Sequence, residues 1–328
     1  MIITLSLYSI LCFVLMFILT KFSYRLNLLD RPNKRKIHNQ AIAYTGGIII
    51  SVLLIISLEL FDIVYKELNI ILSIGFLISC VGLIDDKFEL NAGGKLSLQI
   101  IPIFYLIVFE KLTLLELGNY SYFNLELGNF TIPFTLVSVL LLINAFNYFD
   151  GIDGALGFTS VSVLLILYFL ANNDNIKIYI ITIILPICFF LLFNFAIFKL
   201  PKLFLGDSGS LLLGFLISFI LIYFAKEKIA HPILLAWTIS LFVYEFLAVN
   251  LHRIENKKNL FKAGQDHLHH LLLKKTNSIL FTSFILSFTN LILYLIGFIA
   301  FKYISPLVSL LIFLISFFVY YKIRKIFL

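Results

Sequence analysis

The sequence predicts an all-α fold: a polytopic integral membrane protein of about eleven transmembrane helices, N-terminus outside and C-terminus cytoplasmic. Three observations lead there. Only 13% of the 328 residues are charged and 61% are hydrophobic. Mean hydropathy is +1.04. Apolar runs recur at lengths that suit a bilayer-spanning helix and are too long for strands. The windows fall near 2–20, 43–61, 68–84, 96–114, 132–148, 155–170, 177–198, 209–225, 232–250, 278–300 and 305–320. No polar segment between them is long enough for a soluble domain, so residues 1–328 read as one transmembrane domain.

The first window lacks a basic start and a small-residue cleavage site, and basic residues follow it; it reads as a retained first span. Threading the chain through the remaining windows makes 21–42, 85–95, 149–154, 199–208, 251–277 and the C-terminal tail cytoplasmic. Most of the 25 Lys and Arg then lie inside, as the positive-inside rule requires. The net charge of +7 is therefore topological; it calls for anionic lipid headgroups and not for nucleic acid. Cys12, Cys80 and Cys188 sit within apolar runs without ligand spacing, which implies neither disulfide nor zinc.

The acids carry more information. Asp62, Glu67, Glu116, Glu126 and Asp174 are scattered singly on the outer side. Asp85, Asp86, Asp150, Asp153 and Asp207 all lie at cytoplasmic ends of spans, next to glycine or a second acid. Gathered on one face they would repel, and a divalent cation relieves that repulsion. Magnesium suits hard oxygen ligands without cysteine and bridges one or two carboxylates to a substrate's phosphates.

The stretch Asn144–Gly157 is the centre of this pattern. A bulky apolar run leads into Asp150 and Asp153, each followed by glycine, and carboxylates at such depth mark functional sites. Asn144, Asn147 and Asp150 are spaced to share one helix face; the plain alternative is a capped helix end with an Asp-Gly turn. Asp85 and Asp86 close the third span, where negative charge opposes the helix dipole. Neighbours on a helix diverge by about 100°, so the pair divides its tasks. In Leu205-Gly206-Asp207-Ser208-Gly209-Ser210, Asp207 and Ser208 are candidates to cap the eighth span, whose free N–H groups also suit phosphate.

In the long loop, His267, His269 and His270 sit among Arg253, Lys257, Lys258, Lys262, Lys274 and Lys275. That setting favours imidazoles that hydrogen-bond phosphate over zinc ligands. Glu245 within the ninth span wants a partner, His252 or a basic residue of the site. The first cytoplasmic loop carries Asp30, Arg35, Lys36 and His38 ahead of Gly46-Gly47; topology accounts for its lysines but not for Asp30 or His38.

In this order the pieces resemble the polyprenyl-phosphate N-acetylhexosamine-1-phosphate transferase family, the superfamily that includes phospho-N-acetylmuramoyl-pentapeptide transferase. The markers are Asp30-x-Pro32-x-x-Arg35-Lys36-x-His38, Asp85-Asp86, Asn144-x-x-Asn147-x-x-Asp150-Gly-x-Asp153-Gly, Leu205-Gly206-Asp207-x-Gly209-Ser210 and His267-x-His269-His270. They cover Asp30 to about Leu273. The His-x-His-His spacing is similar to the sugar-nucleotide branch. Ala43 stands where the family commonly has proline, and Gly264-Gln265 where many members have Asp-Arg.

The resemblance implies transfer of a HexNAc-1-phosphate, GlcNAc-1-phosphate foremost, from a UDP-sugar to undecaprenyl phosphate, with release of UMP. UDP-GalNAc and a deoxy-HexNAc donor are the alternatives. It implies Mg2+, with Mn2+ as substitute, held by Asp207 and Asp85. Asp85, Asp86, Asp150, Asp153 and His267 are the implied catalytic residues. Asn144, Asn147, Asp150, Asn194, Arg35, Lys36, His38, His269 and His270 are the implied substrate contacts. A bacterial inner-membrane location with a cytoplasmic active site follows, and a homodimer is compatible with it.

Two rivals fit less well. A cation-coupled transporter predicts acids near the midplane and repeated broken helices. A CDP-alcohol phosphotransferase needs Ala-Arg after its Asp-Gly, which Ile152-Asp153-Gly154-Ala155 does not supply.

Overall fold

The structure is a computed structural model that describes residues 2–32, 40–61, 65–259, 264 and 266–327. Arg35, Lys36 and His38 lie outside the described residues. The helices, in chain order, are α1 (Ile2–Arg25), α2 (Gly46–Leu60), α3 (Lys66–Phe88), α4 (Ala92–Val108), α5 (Thr131–Phe149), α6 (Ala155–Leu170) and α7 (Asp174–Asn194). They continue with α8 (Gly206–Lys226), α9 (Pro232–Thr238), α10 (Ser240–Glu255), α11 (Leu268–Thr276), α12 (Ile279–Tyr303) and α13 (Pro306–Phe327). Two short antiparallel hairpins pair Leu29–Asp30 with Ile42–Ala43 and Glu116–Asn119 with Asn124–Glu126.

The fold is all-α and built for a bilayer. Among the described residues, α1, α3, α5, α7, α8, α12 and α13 are long and apolar enough to cross it. The shorter apolar helices α2, α4 and α6 have 15, 17 and 16 residues. Each apolar window of the sequence corresponds to one of these helices, except that 232–250 is broken into α9 and α10, which meet at 69°. A break at that depth must satisfy its freed backbone groups. Buried Asn290 of α12 does so, donating to the Thr238 carbonyl at 3.0 Å.

Helix α8 is the axis of the bundle. Its spanning window is 94% buried, against 17% for α1 and 11% for α13. A helix apolar on every side belongs in an interior, and α8 packs against α3, α5 and α2. Small residues make the approach close enough, as in other membrane helix pairs. A Cβ on Gly47 of α2 would lie 1.9 Å from the Gly209 nitrogen, and one on Gly82 of α3 would lie 2.4 Å from the Ser208 Cα. On the outer helices, Phe288, Leu311, Ile315 and Phe318 are exposed, the apolar surface that lipid covers.

The close approach sets an expectation. Gly47→Ala and Gly82→Ala drive a methyl into backbone and cost at least the ~1–3 kcal/mol of overpacking. At Gly75 the new methyl meets only Leu216 and Leu212 side chains, at 3.0 and 3.1 Å, which can shift. Thermal unfolding of the purified protein in detergent is expected to show large losses for the first two variants and a near-parental midpoint for Gly75→Ala.

Candidate active site

The site is built on the N-terminus of α8. Its N-cap, Leu205, contributes no side-chain cap, and neither Asp207 nor Ser208 caps its own helix as expected. Asp86 does so from α3: its Oδ1 accepts the Asp207 N–H at 3.0 Å and its Oδ2 the Ser208 N–H at 3.3 Å. Free N–H groups and the positive end of the helix dipole attract a carboxylate. Gly206, at φ +72°, makes room for it; a Cβ there would sit 2.7 Å from Asp86 Oδ2.

Asp85 takes a different partner, as its helical offset requires. It accepts the Leu90 N–H at 2.9 Å and meets Lys95 Nζ at 2.7 Å. The same ammonium reaches Asp207 at 2.5 Å, so one cation bridges two carboxylates. Asn147 Nδ2 donates to Asp207 Oδ1 and to Ser210 Oγ, both at 2.9 Å, joining α5 to the cluster. Asn144, one turn earlier, donates to the Leu140 carbonyl of its own helix at 2.7 Å.

Helix α5 ends at Phe149, and Asp150 leaves the helical region at φ −85°, ψ 59°. Desolvation, followed by the charges of Asp207 and Asp153, raises the Asp150 carboxyl to about 8. At neutral pH this group retains its proton unless a cation stands near it. Asp153 pairs with Lys202 at 2.7 Å. Asn194 accepts the Gly154 N–H at 2.7 Å and donates to the Leu203 carbonyl at 2.9 Å and to Asp153 at 3.4 Å, so protein groups occupy its amide. Lys202 also lines a cavity of about 630 Å³ with Lys21, Tyr24, Arg25 and Ile42, which places three basic side chains around it.

The histidine segment closes the other side. A Cβ on Gly151 would lie 2.0 Å from His269 Nε2, so the glycine admits that ring directly against the Asp150–Gly151 turn. His267 meets Tyr148 edge to face at 4.9 Å and stacks parallel to His269 at 5.6 Å. Among the described residues, His267 Nδ1 and His269 Nε2 are buried without a hydrogen-bond partner. Burial lowers the His267 imidazole to about 4 even with Asp266 beside it, and lowers His269 and His270 as well. Neutral rings each carry one N–H donor and one acceptor nitrogen.

The donor set suits a hard cation: carboxylate oxygens gather here, and no cysteine is near. Among the described residues, no three His, Cys, Asp or Glu side chains are arranged to hold a metal alone. An ion bound by one or two carboxylates, completed by water and substrate phosphate, is the magnesium pattern. Lys95 marks a point between Asp85 and Asp207 where positive charge is already accepted.

The family model described as "Glycosyl transferase family 4" matches residues 68–225, the stretch that holds Asp85, Asp86, Lys95, Asn147, Asp150, Asp153 and Asp207. The chain is 28% identical over 322 residues to undecaprenyl-phosphate alpha-N-acetylglucosaminyl 1-phosphate transferase of Escherichia coli (strain K12), covering 94% of this chain and 87% of that protein. The protein of the same name from Yersinia pestis is 27% identical over 321 residues, 94% and 88% of the two chains. The "Probable undecaprenyl-phosphate N-acetylglucosaminyl 1-phosphate transferase" of Bacillus subtilis (strain 168) is 27% identical over 292 residues, 86% and 78%. The family model and these relatives support the polyprenyl-phosphate HexNAc-1-phosphate transferase family that the sequence motifs resemble.

Lys95, Lys202 and Arg324 were not singled out in the sequence, although the family's markers, Ser210 among them, were. Lys95 did carry a signal: a cation in the first turn of α4 opposes the helix dipole, the same reasoning that drew attention to Asp85 and Asp86. Among the described residues, Glu245 pairs with neither His252 nor the loop bases; its partner is Arg324 of α13, at 2.9 Å.

The lowered imidazoles have a thermodynamic consequence. Between the unfolded value of about 6.5 and the folded value of about 4 for His267, the unfolded chain binds more protons. Stability from this residue is thus complete above about 6.5 and lost as pH falls toward about 4. The melting midpoint in detergent is expected to drop across that window, and His267→Gln to flatten the slope; an unchanged slope contradicts the buried neutral ring.

Proposed function

We propose that this chain transfers a HexNAc-1-phosphate, GlcNAc-1-phosphate foremost, from a UDP-sugar to undecaprenyl phosphate, releasing UMP. The observation that carries the reading is the bridge from Asp85 through Lys95 to Asp207 at the capped N-terminus of α8. It is an anionic cage with an embedded cation at the end of a spanning helix, where a charged nucleotide-sugar and a lipid phosphate can both arrive. The names of the relatives support the donor and acceptor. The same reading makes the site cytoplasmic in a bacterial inner membrane, in keeping with the basic loops around it.

The lipid phosphate, with a second pKa of about 6, is largely a dianion at neutral pH and needs little base assistance. Its oxygen attacks the phosphorus that carries the sugar; the bond from that phosphorus to the bridging oxygen breaks, and UMP leaves. Two anions must approach each other, so positioning and charge neutralisation dominate such a transfer. Mg2+, when bound at Asp207 and Asp85, would supply charge neutralisation for the pyrophosphate and the departing UMP.

The chain's own residues do the rest. Asp86 fixes the direction of α8, and Asn147 holds Asp207 in one rotamer through Oδ1. Lys95 offers a phosphate the positive charge it now shares between carboxylates. His267 Nδ1 and His269 Nε2, buried without a hydrogen-bond partner among the described residues, are the groups that polar atoms of the donor would meet.

Purified protein incubated with undecaprenyl phosphate and a panel of UDP-GlcNAc, UDP-GalNAc and a deoxy-HexNAc donor is expected to release UMP, with UDP-GlcNAc fastest and chelation abolishing release. Asp207→Asn is expected to remove the Mg2+-dependent turnover; retained turnover refutes the ligand role. No UMP from any UDP-HexNAc, with lipid and Mg2+ present, overturns the reading.

A further inference from the structure

The histidine segment is held by the far end of the chain. At the start of α11, the Leu268 N–H donates to Glu245 Oε1 at 2.7 Å. Glu245 Oε2 in turn accepts from Tyr320 Oη at 2.6 Å and from Arg324 Nε at 2.9 Å. Arg324 Nη2 donates to the backbone carbonyl of Asp266. One guanidinium thus grips both the acid that anchors Leu268 and the peptide immediately before His267. From the other side, Arg253 clamps the Asp266 carboxylate through Nε at 3.0 Å and Nη2 at 2.8 Å. The Arg324 and Glu245 side chains are 0% and 1% exposed.

This connection has a cost that topology does not explain. A basic residue in the last turn of a cytoplasmic tail serves orientation best in water or at headgroups. Here it is withdrawn completely and paired with an acid across 79 residues of chain. Only an arginine fork reaches a carboxylate and a separate carbonyl together. The bonds converge on residues 266 and 268, the two neighbours of His267, while Asp85, Asp86 and Asp207 are held by contacts of their own.

We infer that Arg324 is a positioning residue: through Glu245 and the Asp266 carbonyl it sets where His267 and His269 stand, and thereby the affinity for the nucleotide-sugar donor. The donor part rests on the transferase reading above; the positioning part does not.

Three variants separate the outcomes. Arg324→Lys keeps a cation beside Glu245 but loses the fork. Arg324→Met leaves Glu245 buried alone. The pair Glu245→Gln with Arg324→Gln removes both charges and preserves a neutral core should the single variant fail to fold. Hydrogen exchange on the purified full chain reads the segment directly. Exchange across 266–273 is expected to accelerate in Arg324→Lys and in the double variant, with peptides of α3 and α8 unchanged.

In the transferase assay, the KM for UDP-GlcNAc is expected to rise about tenfold, the scale of one charge-assisted hydrogen bond. The KM for undecaprenyl phosphate should hold and kcat should change much less. Parental exchange across 266–273 in a folded double variant overturns the positioning role. Accelerated exchange with an unchanged donor KM overturns the link to donor affinity. If the parental protein releases no UMP, the transferase reading fails while the exchange result still decides the positioning.

Discussion

A helix buried along most of its length must find partners for its first N–H groups away from water, and at α8 that partner is the Asp86 carboxylate. The constraint reaches far. To deliver Asp86, α3 must lie against α8 closely enough that Gly82 touches the Ser208 backbone, and α2 must follow with Gly47 against Gly209. The bond brings Asp85 along on the same turn, rotated toward Lys95, and it fixes Asp207 one residue inside the helix. Acidic side chains that would repel one another are thus gathered because backbone donors and one ammonium already oppose their charge.

Much of this was legible in the residues. Apolar runs of spanning length become helices because a bilayer leaves no other way to satisfy the backbone, so the windows and the helices agree even where α2 and α6 are short. The gathering of Asp85, Asp86, Asp150 and Asp207 was readable from acids placed beside glycine or a second acid at span ends. The break at Ile239 was not: no glycine or proline marks it, and the residue that satisfies it, Asn290, comes from another helix. The capping of α8 was misassigned for a similar reason. Asp207 and Ser208 were local candidates, whereas the cap arrives across 121 residues. Arg324 drew no notice because its place near the chain end says nothing of its burial.

The ion pairs divide by exposure, and the division separates parts that can change partners from parts that cannot. Lys95 is 17% exposed and Asp207 33%; Lys202 is 35% exposed beside Asp153. Those cations can trade a carboxylate for an incoming phosphate at little desolvation cost, since water already reaches them. Glu245 and Arg324 are sealed, and breaking such a pair by removing one partner typically costs about 3–5 kcal/mol. A sealed pair fixes geometry without taking part in exchange.

That contrast bears on how one site can accept two anions in succession. Paired with Lys95 and Lys202, Asp85, Asp207 and Asp153 have their charge partly compensated. On the proposed reading, phosphates that enter would draw the lysines toward the new negative charge and leave carboxylates for a divalent ion. The rearrangement needs movement of long, flexible side chains only. Asp86, held by two backbone N–H groups, stays in place, and so does the helix end it caps.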